Sequence, residues 1–98
     1  MEDTVVSPNV CVFSDESLET LNIQIEIPGV EKKDIELQFY DDGFYLVAKK
    51  EGTKYMGSYA LVWPVQPNKA IAKYADGLLT VNVPYRKPLE GGTRVKID

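Results

Sequence analysis

The stretch ADGLLTVNVP at residues 75–84 places an Asp-Gly pair directly before a run in which apolar and polar side chains alternate. Asp and Gly both tolerate the positive φ angles that a tight hairpin turn requires. The alternation that follows has the period of two of a β-strand, so Leu79, Val81 and Val83 should face a core while the polar residues between them face water. The stretch therefore predicts a hairpin turn followed by a half-buried strand.

Alternating apolar residues recur at intervals of roughly ten residues along the chain, and turn formers such as Pro28-Gly29 separate them. No segment sustains the period of an amphipathic helix. About seven short strands at this spacing are typical of an all-β sandwich or a small barrel. The predicted strands lie at residues 10–13, 21–27, 35–39, 44–49, 58–63 and 78–83, with a polar link at residues 51–57 and a run at residues 70–75 that fits either a strand or a helical turn.

The chain of 98 residues is long enough for one domain with one core. We assign residues 1–9 to a short N-terminal arm and residues 10–84 to the β-sandwich. Proline and glycine residues interrupt the sequence after the last strand. Residues 85–98 are therefore predicted to be a flexible C-terminal extension.

The charge balance narrows the range of partners. Fifteen acidic and eleven basic residues give a net charge of -4, and the Lys and Arg residues do not cluster. Such a chain repels phosphate backbones and anionic lipid surfaces, so we expect no nucleic-acid partner and no membrane partner. No apolar run approaches the roughly 20 residues that span a bilayer. The lone Cys11 and a start without a signal-peptide pattern favour a cytoplasmic location.

Histidine is absent, which removes the usual general base, the usual metal ligand and the usual activator of a Ser or Cys nucleophile. Asp41, Asp42 and Asp76 lie next to or near glycines, where turn chemistry explains them. Cys11 is interpreted as a buried thiol in an apolar strand. We therefore expect no enzyme, no cofactor and no metal site.

Three segments, in this order, resemble the α-crystallin domain of the small heat shock proteins. Residues 25–35, IEIPGVEKKDI, are similar to the family's Pro-Gly segment, and residues 72–84, AKYADGLLTVNVP, are similar to its signature. Asp76, Gly77 and Leu79 mark the turn and the strand of that signature. The third segment is the Val-Lys-Ile motif of the tail. The resemblance implies an immunoglobulin-like antiparallel β-sandwich, in a homodimer or a small homo-oligomer, that binds partly unfolded client proteins without ATP and prevents their aggregation.

The sequence departs from the family pattern at the features that build its usual dimer. The link at residues 51–57 is too short for the strand that most bacterial and archaeal relatives exchange with a partner. Leu61 stands where the family usually has an arginine at the dimer contact. The arm at residues 1–9 is also shorter than the arm with which relatives contact clients. The resemblance is therefore to a short form, for which neither the exchanged-strand dimer nor a large assembly is expected.

The tail carries the clearest binding motif. In an extended chain Val95 and Ile97 point in the same direction, about 7 Å apart, and the linker before them spans up to roughly 30 Å. The resemblance implies that this pair docks into a groove between two edge strands, on its own domain or on a neighbour's. Alternatively, the tail is disordered or folds back, and the groove residues are ordinary core. The groove candidates are Ile35, Leu37, Phe39, Ala70, Ile71 and Ala72.

Other functions remain open beside this one. The short link also suits the related CS-type co-chaperone domain, an adaptor that docks on a larger chaperone, and a structural coat subunit of a larger assembly is a further class. An oligonucleotide-binding barrel would use its tyrosines for stacking, but the acidic charge disfavours it. Tyr45, Tyr55 and Tyr59 are interpreted as outer-face or turn residues, and Trp63 as an anchor in the core or at a seam between sheets.

Overall fold

The computed structural model describes residues 3–86 and 93–98 of the chain. Within those residues, eight β-strands form two four-stranded sheets that pack as the predicted β-sandwich. No helix in this part of the chain is long and apolar enough to cross a membrane. The strands are β1 (Thr4–Val6), β2 (Asn9–Ser14), β3 (Thr20–Glu26), β4 (Ile35–Tyr40), β5 (Gly43–Lys50), β6 (Thr53–Ala60), β7 (Ile71–Ala75) and β8 (Leu78–Pro84).

The strand order is β1-β6-β5-β4 in the first sheet and β2-β3-β8-β7 in the second sheet. Neighbouring strands are antiparallel, except that β1 runs parallel to β6. In the described part of the chain, β1 and β4 are the edges of the first sheet, and β2 and β7 are the edges of the second. Each edge strand has backbone N–H and C=O groups along one side to which a further strand can bind.

The core lies between the inner faces of the central strands. Leu79, Val81 and Val83 of β8 are at most 4% exposed, and Val81 pairs with the fully buried Ile23 of β3. Burying each such side chain stabilises the fold by about 1.5–3 kcal/mol. The predicted alternation in this strand is confirmed. The other members of the core are Leu21, Ile25, Ile27, Val30, Phe44, Leu46, Ala48 and Val65.

The Asp-Gly pair forms the turn between β7 and β8. Asp76 and Gly77 have φ angles of 51° and 81°, which is the conformation of the two-residue turns that match the twist of a hairpin. The N–H of Ile27 donates to the carbonyl oxygen of Gly77 at 2.8 Å. A Cβ added at Gly77 would lie 2.9 Å from the Cα of Pro28. The Pro-Gly segment at residues 25–35 and the signature segment at residues 72–84, on which the family resemblance rests, are therefore in direct contact.

A row of aromatic rings crosses the inner face of the first sheet. Phe44 of β5 stacks on Phe39 of β4 with ring centroids 5.1 Å apart, and on Tyr59 of β6 at 4.8 Å. Gly57 leaves room for the Tyr59 ring, because a Cβ there would overlap it. Burial raises the pKa of Tyr59. The row extends from the β4 edge to the opposite side of the sandwich.

The N-terminal segment and the polar link differ from their predictions. Residues 1–9 are not simply an arm, because Thr4–Val6 pair with the start of β6 as a parallel strand. The predicted link at residues 51–57 is wrong, since only Glu51 and Gly52 separate β5 from β6. The sequence of β6 does not indicate a strand along its whole length, because Lys54, Gly57 and Ser58 interrupt its apolar pattern.

The end of the domain also extends further than predicted. Tyr85 forms a β-bridge with Val65, and the N–H of Arg86 donates to the carbonyl oxygen of Pro64 at 3.0 Å. The predicted boundary at residue 84 therefore falls two residues early. The rest of the linker, residues 87–92, lies outside the described residues.

Cys11 is exposed, so the prediction of a buried thiol is wrong. It lies on β2, an edge strand, and pairs with Gln24 on the outer face of the second sheet. An apolar neighbourhood in the sequence does not show whether a strand is central or at an edge, which explains the error. Trp63 is 56% exposed. It is therefore a residue of the seam between the sheets and not of the core.

Candidate functional site

The strand β4 carries three of the predicted groove residues on one face. Ile35, Leu37 and Phe39 are half-buried and alternate with exposed residues. In an antiparallel ladder, pairs of opposite residues that exchange backbone hydrogen bonds alternate with pairs that do not. The N–H of Leu61 donates to the carbonyl oxygen of Asp42, which lies opposite it. The even-numbered residues of β5 are therefore the ones whose backbone groups bond to β6. The odd-numbered residues of β5 then bond to the even-numbered residues of β4. The backbone groups of Ile35, Leu37 and Phe39 therefore point to the open edge, where a further strand could pair with them.

The strand β7 divides the other predicted groove residues between two faces. Ala72 pairs with the buried Val81, so it faces the space between the sheets, and Ala70 before the strand is half-buried against the core. Ile71 pairs with the exposed Asn82 and is itself 62% exposed. Directly opposite residues of an antiparallel pair share a face. Ile71 therefore lies on the outer face of the second sheet, contrary to the expectation that it lines the groove.

Tyr74 joins β7 to the connection between β3 and β4. Its hydroxyl lies 2.6 Å from the carbonyl oxygen of Val30 and 3.1 Å from that of Ile27. Val30 is a core residue in the connection that leads from β3 into β4. The side chain of Tyr74 thus places the β7 edge and the β4 edge on the same side of the sandwich. Sequence reasoning did not single out Tyr74, because the residues of β7 give no periodic signal that shows which of them face inward.

The tail motif is accessible. Val95 and Ile97 are 78% and 91% exposed. Arg94 and Lys96 alternate with them, so in an extended tail the apolar pair faces one way and the basic pair faces the other. On the outer face of β4, Glu36 is exposed beside the edge to which such a tail would add. Glu36 therefore offers one charge of opposite sign to the basic residues of such a tail.

The described residues show no group of three or more His, Cys, Asp or Glu side chains placed to hold a metal ion. Asp15 is the carboxylate whose pKa changes most clearly. Desolvation acts to raise the pKa of Asp15, but hydrogen bonds from the backbone N–H groups of Thr20 and Glu19 outweigh it and hold that pKa below its ordinary value. Asp15 stabilises the turn between β2 and β3, which is a structural role.

No family model matches the sequence. A curated relative, a probable 15 kDa heat shock protein from Leptospira interrogans, is 27% identical over 96% of this chain and 82% of the relative. Heat shock protein 16.0 from Schizosaccharomyces pombe superposes with a TM-score of 0.74 over 95% of this chain and 76% of that one, at 16% identity. A small heat-shock protein from Xylella fastidiosa gives a TM-score of 0.69 over 95% of each chain, at 16% identity.

The chain is similar to small heat shock proteins in sequence and in fold. The expected resemblance is confirmed by a relative in sequence and by the fold of the solved structures. The family consists of chaperones. This chain resembles a short form of that family, because a two-residue turn at Glu51 and Gly52 joins the strands β5 and β6.

Proposed function

We propose that this protein is an ATP-independent holdase, which binds partly unfolded proteins and keeps them from aggregating. The observation that carries the proposal is the β4 edge. There Ile35, Leu37 and Phe39 turn their apolar side chains toward the gap between the sheets. The backbone N–H and C=O groups of the same three residues point away from β5, to the open edge of the sheet. An extended apolar segment of an unfolded protein has the complementary backbone groups and side chains.

Binding would proceed by strand addition. The incoming segment would pair with the N–H and C=O groups of Ile35, Leu37 and Phe39, and each such hydrogen bond contributes about 0.5–1.5 kcal/mol net. Its alternate side chains would enter the groove beside Ala70 and Ala72, whose small size leaves space. Burial of apolar surface adds about 25 cal/mol per Å². Neither contribution depends on a particular sequence, so clients of many kinds would bind.

The tail would compete for the same groove. Val95 and Ile97 have the spacing to enter it together, while Arg94 and Lys96 would lie along the outer face near Glu36. A tail seated on a neighbouring copy would link chains into a homodimer or a small homo-oligomer. A client that displaces the tail would release that link. We place this chaperone in the cytoplasm, consistent with a chain that has one cysteine.

The test is light scattering from a heat-aggregating client, without nucleotide, in the presence of the wild type or of the double variant Val95→Gly/Ile97→Gly. The proposal predicts suppression by the wild type and a smaller assembly for the variant, with suppression retained or increased because the groove is uncovered. The matched control is Arg94→Gly/Lys96→Gly, which leaves the apolar pair in place and should weaken tail docking only at low salt. An inactive wild type with an assembly size unchanged in the variant would refute the proposal.

The two-residue turn between β5 and β6 also suits an adaptor that docks on a larger chaperone. That function predicts a chain that stays monomeric at all concentrations, shows no suppression of aggregation and binds the purified larger chaperone with a defined stoichiometry. Light scattering on the pure protein, followed by the aggregation assay, separates the two functions.

A further inference from the structure

The end of the sandwich that carries the turn between β2 and β3 has a largely apolar pocket with a volume of about 200 Å³. It is lined by Ser14 of β2, Leu18 of the turn, Trp63 from the connection between β6 and β7, and Tyr85 and Arg86 after β8. None of these residues belongs to β4 or β7, so the pocket is separate from the proposed client groove. An apolar cavity of about 150 Å³ accepts a benzene ring. This pocket therefore has room for one leucine or phenylalanine side chain.

Hydrogen bonds join the segments that form the pocket. The hydroxyls of Ser14 and Tyr85 lie 2.6 Å apart. The N–H of Tyr85 donates to the carbonyl oxygen of Glu19 at 2.9 Å, and the Nε–H of Arg86 donates to the carbonyl oxygen of Val65 at 3.2 Å. The walls of the pocket are therefore fixed before a ligand binds, which lowers the entropic cost of binding.

Leu18 lies at the rim of the pocket in a conformation that its residue type does not favour. Its φ is 59° and its side chain is 71% exposed. Asn or Gly adopts such a φ at a lower cost, and neither exposes a large apolar side chain. Trp63 and the preceding Val62 are 56% and 92% exposed. Local stability does not explain an apolar side chain at this turn position, whereas contact with a partner does.

The segments that form this end of the sandwich are mostly acidic. The N–H of Val65 donates to the carbonyl oxygen of Asp41 at 2.8 Å, which brings the turn between β4 and β5 to the same end. The acidic residues of these segments are Asp15, Glu16, Glu19, Asp41 and Asp42. Their basic residues are Lys69 and Arg86, and within the described residues none of the five carboxylates forms an ion pair. The potential around the pocket is therefore negative.

We propose that this pocket binds a basic segment of a partner protein, in which one leucine or phenylalanine is flanked by lysines or arginines. The apolar side chain would enter the pocket against Leu18 and Trp63. The flanking cations would lie near Glu16 and Glu19, on either side of Leu18 in the turn. The guanidinium of Arg86 has further N–H groups that suit the backbone carbonyl oxygens of the segment. A segment whose flanking residues are acidic would be repelled.

The test is a titration of the full chain with the capped peptides KKLKK, SSLSS and KKSKK, followed by the emission of Trp63, the only tryptophan. Entry of the leucine removes water from the indole, so KKLKK should shift the emission to shorter wavelength and reach saturation. SSLSS lacks the charges and KKSKK lacks the apolar side chain, so each should bind at least about fivefold more weakly at low salt. The advantage of KKLKK over SSLSS should shrink at about 1 M salt, where the screening length falls to about 3 Å.

The variant Leu18→Asn separates binding from folding. Asn tolerates a positive φ, so the free energy of unfolding should stay the same or rise, while the affinity for KKLKK should fall at least about threefold. The matched control is Ile71→Asn, because Ile71 is 62% exposed on the outer face of the second sheet. That change should leave the affinity for KKLKK unchanged.

Three results would overturn the proposal. One is an emission that does not respond to KKLKK, and another is equal affinity for KKLKK and SSLSS at low salt. The third is equal affinity of the wild type and of Leu18→Asn for KKLKK, which would show that the peptide binds elsewhere, for example in the client groove. The proposed function does not depend on any of the three results, because suppression of client aggregation is measured separately.

Discussion

The hydroxyl of Tyr74 on β7 lies 2.6 Å from the carbonyl oxygen of Val30, in the connection that leads to β4. This hydrogen bond joins the two edges between which the tail and the clients are proposed to bind. We therefore expect the separation of these two edges, and with it the width of the proposed groove, to depend on this contact.

Tyr74→Phe should therefore loosen the groove. The change removes the hydrogen bond and leaves a carbonyl oxygen without its partner, so we expect the free energy of unfolding to fall by about 1 kcal/mol. Chemical denaturation measures this change, and the affinity for a peptide of residues 93–98 should fall with it. The control is Tyr40→Phe, whose hydroxyl bonds to the exposed side chain of Gln38, and a loss of equal size there would contradict the role assigned to Tyr74.

The turn between β7 and β8 should not tolerate a side chain at Gly77. Gly77→Ala imposes a positive φ on an L-residue, and its Cβ would lie 2.9 Å from the Cα of Pro28. We expect a loss of about 2–3 kcal/mol, of which the φ angle accounts for about 1–2 kcal/mol. Gly52→Ala is the matched control, because Gly52 has a φ of 80° and its Cβ would have no atom within 4 Å. Equal losses in thermal denaturation would show that the contact with Pro28 contributes nothing.

The turn between β2 and β3 should weaken in acid. The ionised carboxylate of Asp15 accepts hydrogen bonds from the backbone, and its pKa is lower in the folded chain than in the unfolded chain. The stability it contributes is therefore fully present above its unfolded pKa and is lost as the pH falls through its folded pKa. Melting temperatures of the wild type and of Asp15→Asn should converge over that acidic range. Curves that stay parallel down to the lowest pH would contradict the assignment.

The sequence predicts well those parts of the fold that depend on local alternation. Leu79, Val81 and Val83 face the core because a strict period of two leaves one choice of face, and Asp76-Gly77 forms the turn that its residue types favour. The local sequence does not show whether a strand lies at the centre or at the edge of a sheet. For that reason Cys11 on an edge strand is exposed although its neighbours are apolar.

The candidate site was predictable to a similar extent. Ile35, Leu37 and Phe39 have the alternation of a half-buried edge strand, and they share the inner face of β4, while the groove itself stays a prediction. Ile71 lies on the outer face of β7, because Ala, Ile and Lys in β7 give no periodic signal and only the pairing with β8 fixes which side faces inward. The bond between Tyr74 and Val30 joins residues 44 apart in sequence, so it required the structure.

The most direct test of the central claim is competition between a client and the tail for one groove. A heat-aggregating client is incubated without nucleotide in the presence of this protein, and an excess of either the peptide TRVKID, residues 93–98, or the peptide TRGKGD is added. The account predicts that the protein suppresses light scattering, that TRVKID restores aggregation, and that TRGKGD, which lacks both apolar side chains, does not. A protein that suppresses nothing, or two peptides with equal effects, would contradict it.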